Sequence, residues 1–207
     1  MKMRRDQGFI MRLIWPLIFL SVFFFSSESA SKNEQEKLKD TDGNIYKFVK
    51  IGEQVWMAEN LRVTKDREGN SIQSYCFDDN ESNCAELGRL YTWEVALKVS
   101  PEGWHLPSNE EWTALIDFLG QGTEGVKKLL KGNASGFEAL LAGAADFRGN
   151  YLYLDDYAIF WSSTEANQER AYHQGIRHDG ECELFIKRKI DQWIKFKFLP
   201  SYVIQDI

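Results

Sequence analysis

The sequence predicts one α+β domain, and three observations predict it. Short strand-like runs lie towards both ends of the chain, a well-capped amphipathic helix lies between them, and the length suits a single core of ordinary size. The expected arrangement brings short strands from both ends into a sheet, with two or three helices between.

Taken in order, ordered structure is expected to begin at Asp42-Gly43-Asn44, a turn signal, followed by Ile45 to Ile51 as a strand. Gly52-Glu53 closes a tight hairpin onto Gln54 to Met57. Asp66 to Ser71 is another turn, and Thr92 to Lys98 reads as a short helix burying Trp93, Ala96 and Leu97. The clearest helix starts at Ser108, where Ser108 and Glu111 match a capping box. Trp112, Leu115, Ile116 and Leu119 then form one apolar stripe, and Gly120 ends it. A third helix is expected over Thr123 to Lys131, stopped by Gly132. Beyond Gly132 the period shortens. Asp146 to Leu154 holds the hairpin tip Arg148-Gly149-Asn150, and Phe160-Trp161 follows. Ala171 to Arg177 and Cys182 to Ile186 flank the Asp-Gly turn of His178-Asp179-Gly180. Ile194, Phe196 and Phe198 alternate with lysines as a closing strand. No internal repeat stands out.

The first residues belong to a different class. Lys2, Arg4, Arg5 and Arg12 precede a run from Leu13 to Phe25 that is apolar except for Ser21, and small residues follow. This reads as an export signal over residues 1–29, cut after Ser29, because the run is short of the roughly 20 residues a spanning helix needs. Residues 30–40 would then be a flexible, charged lead-in and 41–207 the domain. Removing the signal takes away Lys2, Arg4, Arg5, Arg12, Asp6 and Glu28, moving the formal charge from -6 to -8. No basic footprint remains for nucleic acid, and the abundant aromatics exclude a disordered chain. Membrane contact is expected only through the export signal.

Three cysteines fit an oxidising compartment. Cys76 and Cys84 bracket a polar stretch and are expected to bridge, pinning a local loop. Cys182 is left over, as a buried thiol or a reactive orphan. No cysteine precedes residue 76, so the lipidated cysteine of a lipoprotein is absent.

Four motifs carry a resemblance. Asp42 to Leu61 (DGNIYKFVKIGEQVWMAENL), Gly88 to Trp93 (GRLYTW), Pro101 to Ser108 (PEGWHLPS) and Trp161 to Glu165 (WSSTE) occur in an order that resembles the Fibrobacter succinogenes major paralogous domain family, over about residues 40–199. The resemblance implies a secreted or cell-surface bacterial domain with a C-type-lectin-like fold and no known activity. The Gly103 to Ser108 run with Glu111-Trp112 is also similar to the formylglycine-generating sulfatase-modifying family, which shares that fold. Family members commonly carry a bridging cysteine pair where this chain has Ser100 and the Phe196-Lys197-Phe198-Leu199 strand, so both partners are lost together.

The chemistry-bearing residues are few. His173, His178, Asp179 and Cys182 lack an established metal-ligand spacing, and His178-Asp179-Gly180 is better explained as a turn. His105 reads as a hydrogen-bonded structural residue. Asp40-x-Asp42-Gly43-Asn44 lacks the later carboxylates of a calcium loop, and Asp78, Asp79 and Glu81 are the one place where calcium is considered. The calcium-dependent sugar motifs Glu-Pro-Asn, Gln-Pro-Asp and Trp-Asn-Asp are absent. So are the motifs of a serine hydrolase, a zinc protease and a phosphate loop. No catalytic residue, cofactor or resident metal is expected. Exposed aromatics beside polar groups hold sugars or protein partners, so Tyr151, Tyr153, Trp161, Tyr172, His173, Arg177 and His178 are nominated as a ligand face, by analogy with the late loops of lectin-like folds. The leading expectation is an exported, non-enzymatic binding or adhesion module for a surface glycan or extracellular protein. The alternatives are an enzyme remotely like the sulfatase modifiers, working through Cys182, and a purely structural surface protein.

Overall fold

In the computed structural model, the structure describes residues 37–146, 148–168, 170–180, 182–188 and 203–206, with the backbone alone for 182–188. All of these fall in one compact unit, Gln35–Ile207. The proposed export signal, most of the lead-in, the Cys182 thiol and the expected closing strand Ile194–Phe198 lie outside this description.

The chain is mixed α and β. The pair β1 (Leu38–Lys39) and β2 (Ile45–Tyr46) is a short antiparallel ribbon around the Asp42-Gly43 turn. Leu38 is buried, so ordered structure starts before the Asp42 turn and the lead-in ends sooner than expected. Its apolar side chain reaches the core, which the surrounding charges had obscured. The expected Ile45–Ile51 strand is split at Lys47, whose carbonyl accepts the Ala58 amide, into β2 and β3 (Phe48–Ile51). β3 turns at Gly52-Glu53 into β4 (Gln54–Met57) as expected.

The helices follow. α1 (Glu81–Leu87) has no signal in the sequence, because a polar stretch between two cysteines looks like a loop. Asn80 caps it by accepting the Ser82 amide, and Cys84 is buried within it. The Cys76–Cys84 disulfide is present, but it ties this helix to the 3-10 turn Phe77–Asp79 rather than closing a bare loop. α2 (Trp93–Ala96) is capped by Thr92. β5 (Trp104–His105) leads to α3 (Asn109–Leu119), where both halves of the Ser108–Glu111 capping box are made. α4 (Thr123–Lys127) stops four residues short of the expected end, and Leu129 continues into the core from a turn.

A five-stranded mixed sheet orders β10 (Cys182–Arg188), β9 (Arg170–Arg177), β8 (Tyr157–Asn167), β6 (Ala142–Ala145) and β7 (Tyr151–Leu154). Only the β6–β8 pairing is parallel. A four-stranded sheet runs β3, β4, β11 (Ile204–Gln205), β5. The chain's end therefore does return to its early strands, through Ile204 opposite Trp56 and His105.

Aromatic packing joins the layers. Trp112 of α3 lies 4.9 Å from Trp56 and stacks on Phe160 at 5.7 Å, with Phe137 against all three. These rings are fully buried, and rings of this size dominate core energetics.

One short pattern recurs. Asp40–Asn44, Asp66–Asn70 and Asp146–Asn150 share the form Asp-x-x-Gly-Asn. In each, the aspartate accepts the backbone amide of the asparagine on one oxygen and its side-chain amide on the other. The glycine takes a positive φ that its neighbours would resist. Five residues are too few to register as a repeat unit in sequence, yet they give three self-closed loops.

Candidate functional site

The four sequence motifs interlock. The Trp93 indole donates to Ser162 O at 2.8 Å and the Trp161 indole to Tyr91 O at 3.0 Å, so two motifs exchange hydrogen bonds. Ser163 N donates to Pro107 O, and Asn109 N to Thr164 Oγ1. Arg67 gathers three carbonyls of the Pro101 motif region, Ser100 O at 2.7 Å, Pro101 O at 3.3 Å and Trp104 O at 2.7 Å. The motifs are thus the joints of the fold.

One joint also makes a cleft. Asn60 donates its side-chain amide to Leu87 O at 2.6 Å, and Arg89 N donates to Leu61 O at 2.7 Å. These bonds draw the two backbones so close that a Cβ on Gly88 would lie 2.3 Å from that of Asn60. Beside this contact opens a cleft of about 630 Å³, within the usual range for small-ligand sites. Its lining carries both charges, Lys47, Arg62 and Lys131 among Glu59, Glu86 and Glu138, beside the apolar surface of Ala58, Ala85 and Leu140. Arg62 is held by Glu59, by Ile45 O and by the Tyr46 ring beneath it. Asn60 is 3% exposed, and among the described residues its Oδ1 has no hydrogen-bond partner. A buried acceptor left unpaired costs about 1–3 kcal/mol.

A smaller cleft of about 480 Å³ lies between Asp40 and Arg67 on one side and Ser100 on the other. Ser100 is buried, and among the described residues its hydroxyl has no partner.

The nominated aromatic face is dispersed. Trp161 and His173 are buried against each other, 6.3 Å apart in an edge-to-face contact, and belong to the interior. Arg177 pairs with Asp179, and His178 Nδ1 lies 2.9 Å from Asp156 Oδ1, at the opposite end of β9 from Tyr172. Tyr153 packs on Tyr157. Tyr151 packs on Phe77 and donates to Asp79 Oδ1 at 2.6 Å; burial and this bond push its pKa up to about 12. The register Tyr153↔Gly143↔Ala158↔Ile176 sets Tyr153 in the same row as Ile176 but three strands from it, and Tyr172 lies four residues further along β9. At about 3.3 Å per residue and 4.8 Å per strand, the two tyrosines are separated along the sheet and across it. The seven residues do not form one surface.

A family model for the Fibrobacter succinogenes major domain matches residues 49–195, more than half of the chain. The chain belongs to this family. No curated protein and no solved structure matches it. The Fibrobacter succinogenes major domain thus supplies the cleft's walls from its own motif residues, Ala58, Glu59, Asn60 and Gly88. These residues carry no site signal in the sequence because their pattern marks a packing joint, and nothing in the linear order brings Lys131 and Glu138 to the same cleft.

Two other polar groups in this domain are structural. His105 is held between two carboxylates, with Nδ1 2.6 Å from Asp206 Oδ1 and Nε2 2.8 Å from Glu111 Oε1. Partial burial works against the charged ring, but the two carboxylates prevail and raise its pKa. The structural role expected of His105 is therefore concrete: it joins β5, α3 and Asp206, the residue that follows β11. In the acidic turn, Asp79 accepts from Tyr151 and Glu81 pairs with Arg89 at 2.8 Å, while Asp78 is exposed. A calcium ion at Asp78, Asp79 and Glu81 would compete with both contacts. Cys76, Glu81 and Cys84 offer donor atoms within 4.8 Å, but both sulfurs are spent in the disulfide.

Proposed function

We propose that this chain is an exported, non-enzymatic binding module of a bacterial surface or extracellular space, with a C-type-lectin-like fold, and that it holds a glycan in the cleft beside Asn60. The observation that carries the reading is the cleft of about 630 Å³ at the Asn60–Gly88 joint, whose lining carries both carboxylates and cations. The mixed lining of amides, carboxylates and cations matches the alternating donors and acceptors of a polyhydroxylated ligand. The basic-then-apolar start and the disulfide support export. Among the described residues no helix is long and apolar enough to cross a membrane. The return of the last strand to the first ones supports the lectin-like reading.

The test is a glycan array and a cell-surface pull-down with the purified domain, repeated with Lys131→Ala and Glu86→Ala, both exposed cleft residues. Binding of a glycan weakened about tenfold by either change is expected, about 1.4 kcal/mol. Silence in both assays, or binding indifferent to both substitutions, rejects the proposal.

A further inference from the structure

The chain contains two Asn-x-Ser sequences, Asn80-Glu81-Ser82 and Asn133-Ala134-Ser135. Such a tripeptide in an exported protein is an acceptor for N-linked glycan when it is exposed and its reacting groups are free. The structure separates the two. At the second, the Asn133 amide donates to Leu130 O at 3.2 Å, and the Ser135 hydroxyl donates to Lys128 O while accepting from Phe137 N. Both groups an acceptor must offer are engaged there. At the first, Asn80 and Ser82 are exposed, and the one bond between them runs from the Ser82 backbone amide to Asn80 Oδ1 at 3.0 Å. That bond uses the carbonyl end of the side chain, and among the described residues Nδ2 and the Ser82 hydroxyl have no partners.

We infer that Asn80 is a glycosylation site and Asn133 is not. The donor is an oligosaccharide linked through a diphosphate to a membrane lipid, used by an oligosaccharyltransferase on the export side of the membrane. Asn80 Nδ2 attacks the anomeric carbon as the bond from that carbon to the diphosphate oxygen breaks. The lipid diphosphate leaves with the electron pair, and the amide gives up one proton to a carboxylate base of the transferase. The Ser82 hydroxyl is the group the transferase recognises. The disulfide keeps the tripeptide at the end of a short, fixed excursion, since Cys76 and Cys84 are buried while 78–82 are exposed. Asn80 starts α1, whereas Ala85 and Glu86 of the same helix line the cleft. At 1.5 Å per residue a glycan on Asn80 is attached roughly 8 Å along the helix from that wall and leaves the cleft open.

This inference rests on the export reading, and one experiment tells the two apart. The full chain is expressed in, and purified from, the organism that makes it, and its intact mass and disulfide-linked peptides are measured by mass spectrometry. The expected result is a chain lacking residues 1–29, with a glycan on the Asn80 peptide and none on the Asn133 peptide. Ser82→Ala should abolish the addition and Ser82→Thr should keep it, while the disulfide-linked peptide in both variants reports that the loop is intact. A processed, disulfide-bonded chain with unmodified Asn80 overturns the inference and leaves export standing. A glycan that persists in Ser82→Ala, or one found on Asn133 instead, overturns it as well. An unprocessed, unmodified chain overturns both readings.

Discussion

Gly88→Ala tests whether the motif joint at Asn60 is as close as described. Gly88 has φ 79° and ψ -175°, a region almost closed to residues with a Cβ, which costs about 1–3 kcal/mol. The new methyl would also sit 2.3 Å from Asn60 Cβ and 2.9 Å from Leu61 O. Both neighbours are anchored, Asn60 by its bond to Leu87 O and Leu61 O by the Arg89 amide, so the contact cannot relax at the end of a flexible chain. Overpacking of this kind costs about 1–3 kcal/mol. The total is roughly 4 kcal/mol, a large part of the 5–15 kcal/mol that holds an ordinary domain together. For a domain of this length, the melting temperature should fall by roughly 10 °C. Asn60→Gly in the same chain removes the closer contact but leaves the strained φ, so the double variant should recover about 1–2 kcal/mol relative to additivity. Urea unfolding of the four proteins gives the cycle. A Gly88→Ala loss below about 1 kcal/mol, or strict additivity with Asn60→Gly, would refute the close approach.

Three further outcomes are expected. Because the folded pKa of His105 is raised, its clamp stabilises fully below the ordinary histidine pKa and weakens as pH rises through the folded value. Urea midpoints should therefore fall between pH 6 and pH 9 in wild type more than in His105→Gln, and equal slopes would contradict the clamp. Replacing Cys76 and Cys84 by serine should cost about 2.5 kcal/mol from the short closed loop, with faster hydrogen exchange confined to Glu81–Leu87; loss of protection across β8 and β9 would show a wider role. Arg67→Lys should destabilise nearly as much as Arg67→Ala, by about 2–3 kcal/mol, since an ammonium cannot reach three carbonyls from the guanidinium's fork. Full rescue by lysine, seen as a wild-type urea midpoint, would show that charge alone matters.

Much of the scaffold is legible in the sequence because its signals are local. The capping box at Ser108, the threonine cap at Thr92 and the Gly52-Glu53 turn each depend on residues within one turn, and all three form. α1 is not legible in the same way. Its seven residues carry no apolar stripe, and its stability comes from the Asn80 cap and a covalent link at Cys84. The nominated aromatic residues are dispersed for a related reason. Alternation along a strand says which residues share a side, but whether that side is covered depends on what packs on it. Trp161 and His173 are buried there, and Tyr172 lies several residues along the sheet from Tyr153.

The sequence alone determined that this chain is an α+β domain of the Fibrobacter succinogenes major family, that Cys76 and Cys84 are paired, and where its best helix begins and ends. These follow from covalent order and short-range hydrogen bonding, which are properties of neighbouring residues. Only the tertiary structure decided that the motifs are joints, that Lys131 and Glu138 line the same cleft as Glu59 and Arg62, and that among the described residues the Asn60 acceptor has no partner. Those facts belong to segments some seventy residues apart, and packing of the aromatic core is what brings them together.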